Sequence, residues 1–292
     1  MAGGAVAAPA LARSSPLNAK STGNTLKLKK GISFYMIKEE LSLVDKCKLV
    51  MDLGFDGVEF NSPVDFSLDE LLAAKEKSGI EIPSLVNKDH WSKPLSDPDP
   101  EVRQYTIDSV AKSLEEVKVL GGDTVLVVPG VVNEKVPYGV AYRNALDSIR
   151  KLIPYAEKAS MKIGLENVWS NFILSPVEAR RFVDEINHPL VGWYFDIGNI
   201  LRYGWPEHWI AELNRRIVKL HAKEFSRGKM NDEGLWAGFK VDLLAGDNNW
   251  PVVMQALRDI DYQGGWLTVE LGDGDRDYLQ KVSKQMDTIL AL

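Results

Sequence analysis

The sequence predicts a single (β/α)8 barrel, and three observations carry that expectation. Short β-branched runs alternate with longer helical patterns from Leu28 to the C-terminus, and eight such pairs can be marked off. Strict alternation implies a parallel sheet, because each crossover is long enough to hold a helix. No Gly-x-Gly-x-x-Gly follows any strand, which argues against the competing open doubly wound sheet. The length of 292 residues is ordinary for one barrel and gives no sign of a second domain.

The elements follow in order. Gly31–Tyr35 reads as the first strand and Leu41–Leu53 as its helix. Gly57–Phe60 is a strand, and Leu68–Lys77 a helix ending at Gly79. Ile80–Val86 is the third strand, and the helix 101–120 has Asp97 or Asp99 as cap and Gly121-Gly122 as stop. Thr124–Val128 is a continuous apolar run of the kind buried in parallel sheets, followed by a helix over 139–160 and a strand over Lys162–Glu166. Ser175-Pro176 opens the next helix in cap-then-proline order. Val191–Asp196, Pro206–Leu213 and Ile217–His221 read as strand, helix and strand. After a long loop rich in Gly, Lys and Asp come a helix from Trp250-Pro251 to Ile260, a strand Gly265–Glu270 and a closing helix Asp275–Leu292.

Composition narrows the function classes. A net charge of −6 and a pI near 5.4 speak against nucleic acid and against a polybasic membrane contact. No stretch approaches the roughly 20 apolar residues of a membrane span. The single cysteine, Cys47, sits in a helical pattern and reads as a small core residue. Residues 1–25 are set apart from the barrel at 26–292. Residues 2–12 resemble the apolar part of an export signal, with Ala10-Leu11-Ala12 in small-x-small form, but the charged start is missing. A truncated export signal and an Ala/Ser-rich disordered tail are the two readings. The first implies a periplasmic protein; the chain as written implies a cytoplasmic one.

In such barrels functional side chains project from the C-terminal ends of the strands. Four late strands end in Glu166, Asp196, His221 and Glu270, each closing a mostly apolar run. With neighbouring strands about 4.8 Å apart, four such groups converge on one side of the barrel mouth. A salt-bridged rim is the alternative, and it predicts Lys or Arg at the strand ends themselves, where these four strands have none. Three carboxylates packed together raise one another's pKa, and a divalent cation removes that cost. Three carboxylates and one imidazole form an oxygen-dominated site, with Mn²⁺ the first expectation and Mg²⁺, Co²⁺ or Zn²⁺ behind it; the thiolates of closed structural zinc sites are absent.

At these residues the chain resembles the xylose isomerase-like barrels, and among them the sugar-phosphate isomerase/epimerase group that includes ketose 3-epimerases. The resemblance spans roughly residues 28–290. It is carried by Gly57-Val-Glu-Phe60, Gly164-Leu-Glu-Asn167, Asp196-Ile-Gly198, His221-Ala-Lys-Glu-Phe-Ser-Arg227 and Val269-Glu-Leu271. It implies that Glu166, Asp196, His221 and Glu270 hold the metal. It further implies that Glu166 and Glu270 serve as the acid/base pair, one taking a proton next to a carbonyl and the other returning one on the opposite face. The metal would act as a Lewis acid for the resulting enediolate. Arg227, six after His221, would hydrogen-bond substrate oxygens. Two departures stand out: Asn199 where ketose 3-epimerases have His, and Phe172 where they have a second Glu. The metal chemistry carries over; the free-ketose substrate does not.

Further candidates are Glu59, as a substrate contact or a brace of the mouth; His90 with Trp91, as a sugar-stacking wall; Lys223, pointing into the site or paired with a carboxylate; and Asn167 with Trp169, as pocket lining. His188 and His208 read as surface residues, and Asp273 and Asp275 as caps. Arg202, Arg227 and Lys229 are the available phosphate partners, though none lies in a Gly-rich helix-start cradle. The expected partner is a small sugar, and the Trp-rich segment Trp193–Trp209 is a source of apolar contacts for a homo-oligomer. The first functional expectation is therefore a metal-dependent sugar or sugar-phosphate isomerase or 3-epimerase. A lyase using the same enolisation, a keto-inositol dehydratase or a 3-keto-glycoside β-eliminase, is the alternative. An endonuclease IV-like repair enzyme would need a trinuclear site with more than the four His present, and a non-catalytic sugar-binding barrel would not need an intact tetrad.

Overall fold

The computed structural model describes residues 26–292; the tail or export-signal reading of residues 1–25 lies outside the described residues. Eight strands close into one parallel barrel in sequence order: β1 (Lys29–Ser33), β2 (Gly57–Ser62), β3 (Ser84–Asn87), β4 (Thr124–Val127), β5 (Lys162–Glu166), β6 (Val191–Asp196), β7 (Ile217–Ala222) and β8 (Trp266–Val269). Closure is parallel, with Gly31 opposite Thr268 and Ile32 opposite Val269.

Around the barrel run α1 (Leu43–Asp52), α2 (Leu68–Ser78), α3 (Pro100–Leu120), α4 (Tyr138–Ala159), α5 (Pro176–Ile186), α6 (Pro206–Leu213), α7 (Arg227–Glu233), α8 (Trp250–Asp259) and α9 (Arg276–Leu290). Their ends follow local chemistry. Ser67 and Glu70 form a reciprocal capping box at the start of α2, and Gly79 closes it at φ 78°. Asp99 caps α3 ahead of Pro100, and Gly121 stops it in the same left-handed conformation. The helices press their apolar stripes on the outer strand faces, where Val58, Leu85, Val125, Ile163, Trp193 and Leu267 are fully buried.

Three local outcomes differ from the sequence expectation. Strand β1 ends at Ser33, and Phe34–Met36 turns into a 3₁₀ segment that carries Tyr35 out of the sheet. The third strand ladders only from Ser84, because Pro83 has no N–H to contribute. The long loop after β7 holds a helix, α7, and a 3₁₀ segment, Leu235–Phe239. Helix α7 buries none of its residues, so its sequence shows no apolar period.

Cys47 is buried, and burial pushes its thiol up to about 11, as suits a core residue. In the Trp-rich segment, Trp193 and Trp209 face the core and Trp205 is exposed. No helix among the described residues is long and apolar enough to cross a membrane.

Candidate active site

Glu166 ends β5, Asp196 ends β6, His221 lies one residue before the end of β7, and Glu270 follows β8. Register brings them together: Asp196 lies opposite His221 across the β6–β7 ladder. One ligand atom from each of the four falls within 4.8 Å of the others. His221 Nδ1 is 3.2 Å from Glu166 Oε1 and 3.6 Å from Glu270 Oε2. Gly198 makes room beside the cluster, because a Cβ there would lie 2.6 Å from Lys223 Cβ.

Lys223 enters the same ring of oxygens. Its Nζ is 2.6 Å from Glu270 Oε2 and 3.0 Å from Asp196 Oδ2. The second contact lacks hydrogen-bond alignment, so Asp196 Oδ2 is a buried oxygen with no hydrogen-bond partner. An orphaned buried carboxylate oxygen, and an ammonium drawn among carboxylates, both mark a place that calls for positive charge. Burial raises the carboxyl of Glu166 to about 7, with the nearby Glu270 charge adding to the shift and His221 opposing it. Asp196 is also pushed up by burial, against the pull of Lys223. Burial would raise Glu270 too, but Lys223 and His221 beside it hold it down to about 2. Against the cost of burial, the surrounding carboxylates push His221 and Lys223 well above their ordinary ranges.

Glu59 sits on the other side of the imidazole. Its carboxylate accepts from His221 Nε2 at 2.7 Å, from Ser84 Oγ at 2.6 Å and from the Tyr194 hydroxyl at 2.5 Å. A carboxylate that takes the far N–H of a histidine leaves the near nitrogen turned to a metal, the usual arrangement behind a ligating imidazole. The tetrad therefore fits a divalent cation in donor type, spacing and the support behind its histidine.

A cavity of about 500 Å³ opens over the cluster. Glu166, Glu270 and Lys223 line it, with Trp91, Trp169 and Asn199. Several sequence candidates do not line this cavity. The Arg227 guanidinium donates to Leu201 O and Gly204 O, both at 2.6 Å, and lies over Trp205; it holds the β6–α6 loop and is absent from the cavity wall. Asn167 is consumed against β6, donating to Asp196 O and accepting from Trp193 Nε1 and Asp196 N. His90 is buried, with Nδ1 accepting from Val128 N at 3.3 Å, and burial lowers its pKa to about 3; its neighbour Trp91 is the residue that reaches the cavity. Glu59, with its oxygens engaged as above, lies outside this cavity and lines a neighbouring one with Tyr35 and Glu270. Of the two departures, Asn199 lines the cavity and accepts from Lys223 Nζ at 3.4 Å. Phe172 instead packs among Tyr138, Tyr142 and Phe182.

Five lining residues were not singled out from sequence: Tyr35, Val168, Trp236, Phe239 and Gly272. Tyr35 lies two residues beyond β1 and lines the cavity with Glu270, so the strand-end rule, applied to the early strands, would have found it. Trp236 and Phe239 belong to the unforeseen 3₁₀ segment. Beyond that segment the chain is held by Glu224, a fully buried carboxylate that accepts from Leu244 N, Asn248 N and Trp250 Nε1 at 3.0–3.1 Å. Gly246 permits this approach, since a Cβ there would meet Glu224 Oε1 at 2.5 Å.

Comparison with known proteins follows this geometry. The family description Xylose isomerase-like TIM barrel matches residues 47–289. The L-ribulose-5-phosphate 3-epimerase UlaE of Escherichia coli is 22% identical, over 85% of this chain and 89% of that protein. Among solved structures, the 3-keto-D-glucoside 4-epimerase YcjR of E. coli superposes with a TM-score of 0.76 at 17% identity, covering 91% of this chain and 100% of that one. D-Psicose 3-epimerase of Clostridium cellulolyticum superposes with a TM-score of 0.74 at 18% identity, covering 90% and 98%.

Proposed function

This chain belongs to the xylose isomerase-like TIM barrel family, and from that premise we propose that it is a divalent-metal-dependent sugar isomerase or epimerase. The reaction is proton transfer at a carbon next to a carbonyl. The observation that carries the reading is the convergence of Glu166, Asp196, His221 and Glu270 within 4.8 Å at the open end of the barrel. The names of the relatives, sugar 3- and 4-epimerases, point the same way. Mn²⁺ suits the donor set of three carboxylates and one imidazole best.

A cation held by these four residues would supply Lewis-acid polarisation of the substrate carbonyl. The remaining chemistry belongs to the side chains. Glu166 and Glu270 both line the cavity and are the pair between which the proton passes, one taking it and the other returning one. Burial raises the first while Lys223 and His221 hold the second down, and surroundings that push two carboxyls apart suit such a pair. The C–H bond breaks with its electrons passing toward the carbonyl oxygen, and proton return to the opposite face of the carbon gives the epimer. Lys223 Nζ, 2.6 Å from Glu270 Oε2, fixes the orientation of that carboxylate.

A lyase that begins with the same proton abstraction is the second reading. Lys223 favours it, because an ammonium beside the base can hand a proton to a departing oxygen. Incubating the Mn²⁺-loaded protein in D₂O with free ketoses, ketose 5-phosphates and 3-keto-glycosides separates the two by NMR. A new epimer carrying one deuterium at the inverted carbon supports the first. Release of water or a free aglycone supports the second, and no exchange with any of the three classes refutes both.

A further inference from the structure

We propose that the substrate is a glycoside, with a keto-sugar ring at the carboxylate cluster and an uncharged second ring held between Trp91 and Trp236 at the cavity entrance. The identity of the reacting ring rests on the proton-transfer reading above; the second-ring site rests on separate geometry. Trp91 follows β3 and Trp236 follows β7, four staves apart in an eight-stave ring, so they rise from opposite sides of the mouth. Both line the same cavity, and they are 50% and 66% exposed. Two large rings left half in water on facing walls are the mark of a binding surface rather than of a core.

The aromatic wall is longer than one sugar. Lys223 Nζ, at the reacting cluster, is 5.8 Å from the Phe239 ring centre. Phe239 in turn stacks with Trp236 at 6.4 Å and an interplanar angle of 30°. Trp169 tilts against both, at 4.8 and 5.1 Å. A ring seated at the carboxylates covers Phe239 and leaves Trp236 for a second one. The wall is set in advance, since Trp169 Nε1 donates to Asn199 O at 2.6 Å and Glu224 ties down the chain beyond the segment. Pre-ordered aromatic faces bind flat C–H or aryl surfaces without the cost of ordering side chains.

Charge points to a neutral second group. Among the cavity-lining residues the ionised groups are Glu166, Glu270 and Lys223, and Lys223 is already paired. Arg227 and Lys229 spend their donors on main-chain carbonyls. Arg202 lies over the face of Trp169 at 5.0 Å, outside the lining. A phosphate dianion in this cavity would meet carboxylates first.

The test is calorimetric binding of three probes to the Mn²⁺-loaded full chain: 4-nitrophenyl β-D-glucopyranoside, methyl β-D-glucopyranoside and D-ribulose 5-phosphate. The proposal expects the nitrophenyl glucoside to bind at least tenfold more tightly than the methyl glucoside. Trp236→Ala should erase that advantage while leaving methyl glucoside affinity within twofold. Trp236→Leu, which keeps the bulk of an exposed side chain, should give an intermediate loss and guards against a folding defect, which circular dichroism reads directly. Equal affinity for the two glucosides, or no change in Trp236→Ala, overturns the proposal. Tightest binding of D-ribulose 5-phosphate, lost in Arg202→Ala, also overturns it and assigns an anion site instead. Because the glucosides are read without turnover, a ring preference with no deuterium exchange in any sugar would sink the proton-transfer reading and leave the second-ring site standing.

Discussion

His221 has a glutamate on either side, and the two regions behave differently although both are buried. On the interior side, Glu59 accepts three hydrogen bonds, from an imidazole, a serine and a tyrosine. On the cavity side, Glu166 meets His221 Nδ1 at 3.2 Å, and its pKa rises to about 7. The difference teaches that burial alone does not make a carboxylate reactive. A buried carboxylate with its lone pairs filled is structure; one left short of partners and facing an open cavity is poised to take a proton or a cation.

Replacing the two residues in the same way sharpens that contrast. Glu166→Gln should lower kcat about 10²–10⁴-fold, the usual weight of a general acid or base, with circular dichroism unchanged; full turnover in this variant would break the contrast at its centre. Glu59→Gln should act through the metal. After dialysis against a chelator, recovery of activity should need about 10–100-fold more Mn²⁺ than the unaltered protein, as is typical when the carboxylate behind a ligating histidine is lost. Saturating Mn²⁺ should then restore most of kcat. An equal loss at every Mn²⁺ concentration would mean that Glu59 touches substrate after all. At neutral pH no effect is expected from His90, an imidazole whose buried ring accepts one backbone N–H, and the change appears only in acid. Its pKa falls from 6.5 to about 3 in the folded protein, so the unfolded chain binds the extra proton in that window. The stability contribution is whole above 6.5 and is lost as pH falls toward 3, by about 1.4 kcal/mol per pH unit at most. His90→Gln should unfold less steeply with acid than the unaltered protein; parallel acid-denaturation curves would show that His90 is protonated in the fold.

The barrel and the tetrad were legible because both follow from local rules. A strand-length apolar run ending in Glu166, Asp196 or His221 places that side chain at the mouth whatever the rest of the chain does. The partners of Glu59, Asn167 and Arg227 were not legible, since they come from distant segments. Ser84 and Tyr194 reach Glu59 from other strands, and Arg227 is bound by two main-chain carbonyls that no side-chain pattern reveals. Phe172 was visible as a departure, but its place in an aromatic cluster depends on α4 and α5 packing beside it. Trp236 and Phe239 were hidden because a short 3₁₀ segment between polar residues has no period to read.

Glu224 has one more consequence. It fastens the far end of the β7–α8 excursion to the barrel through main-chain N–H groups at 244 and 248 and the indole of Trp250, rather than through side chains of the 3₁₀ segment itself. Within the stretch, Gly238 is fixed by Phe225, since a Cβ there would lie 2.3 Å from its ring, so Trp236, the exposed ring, is the position that mutation can change while the moorings stay in register.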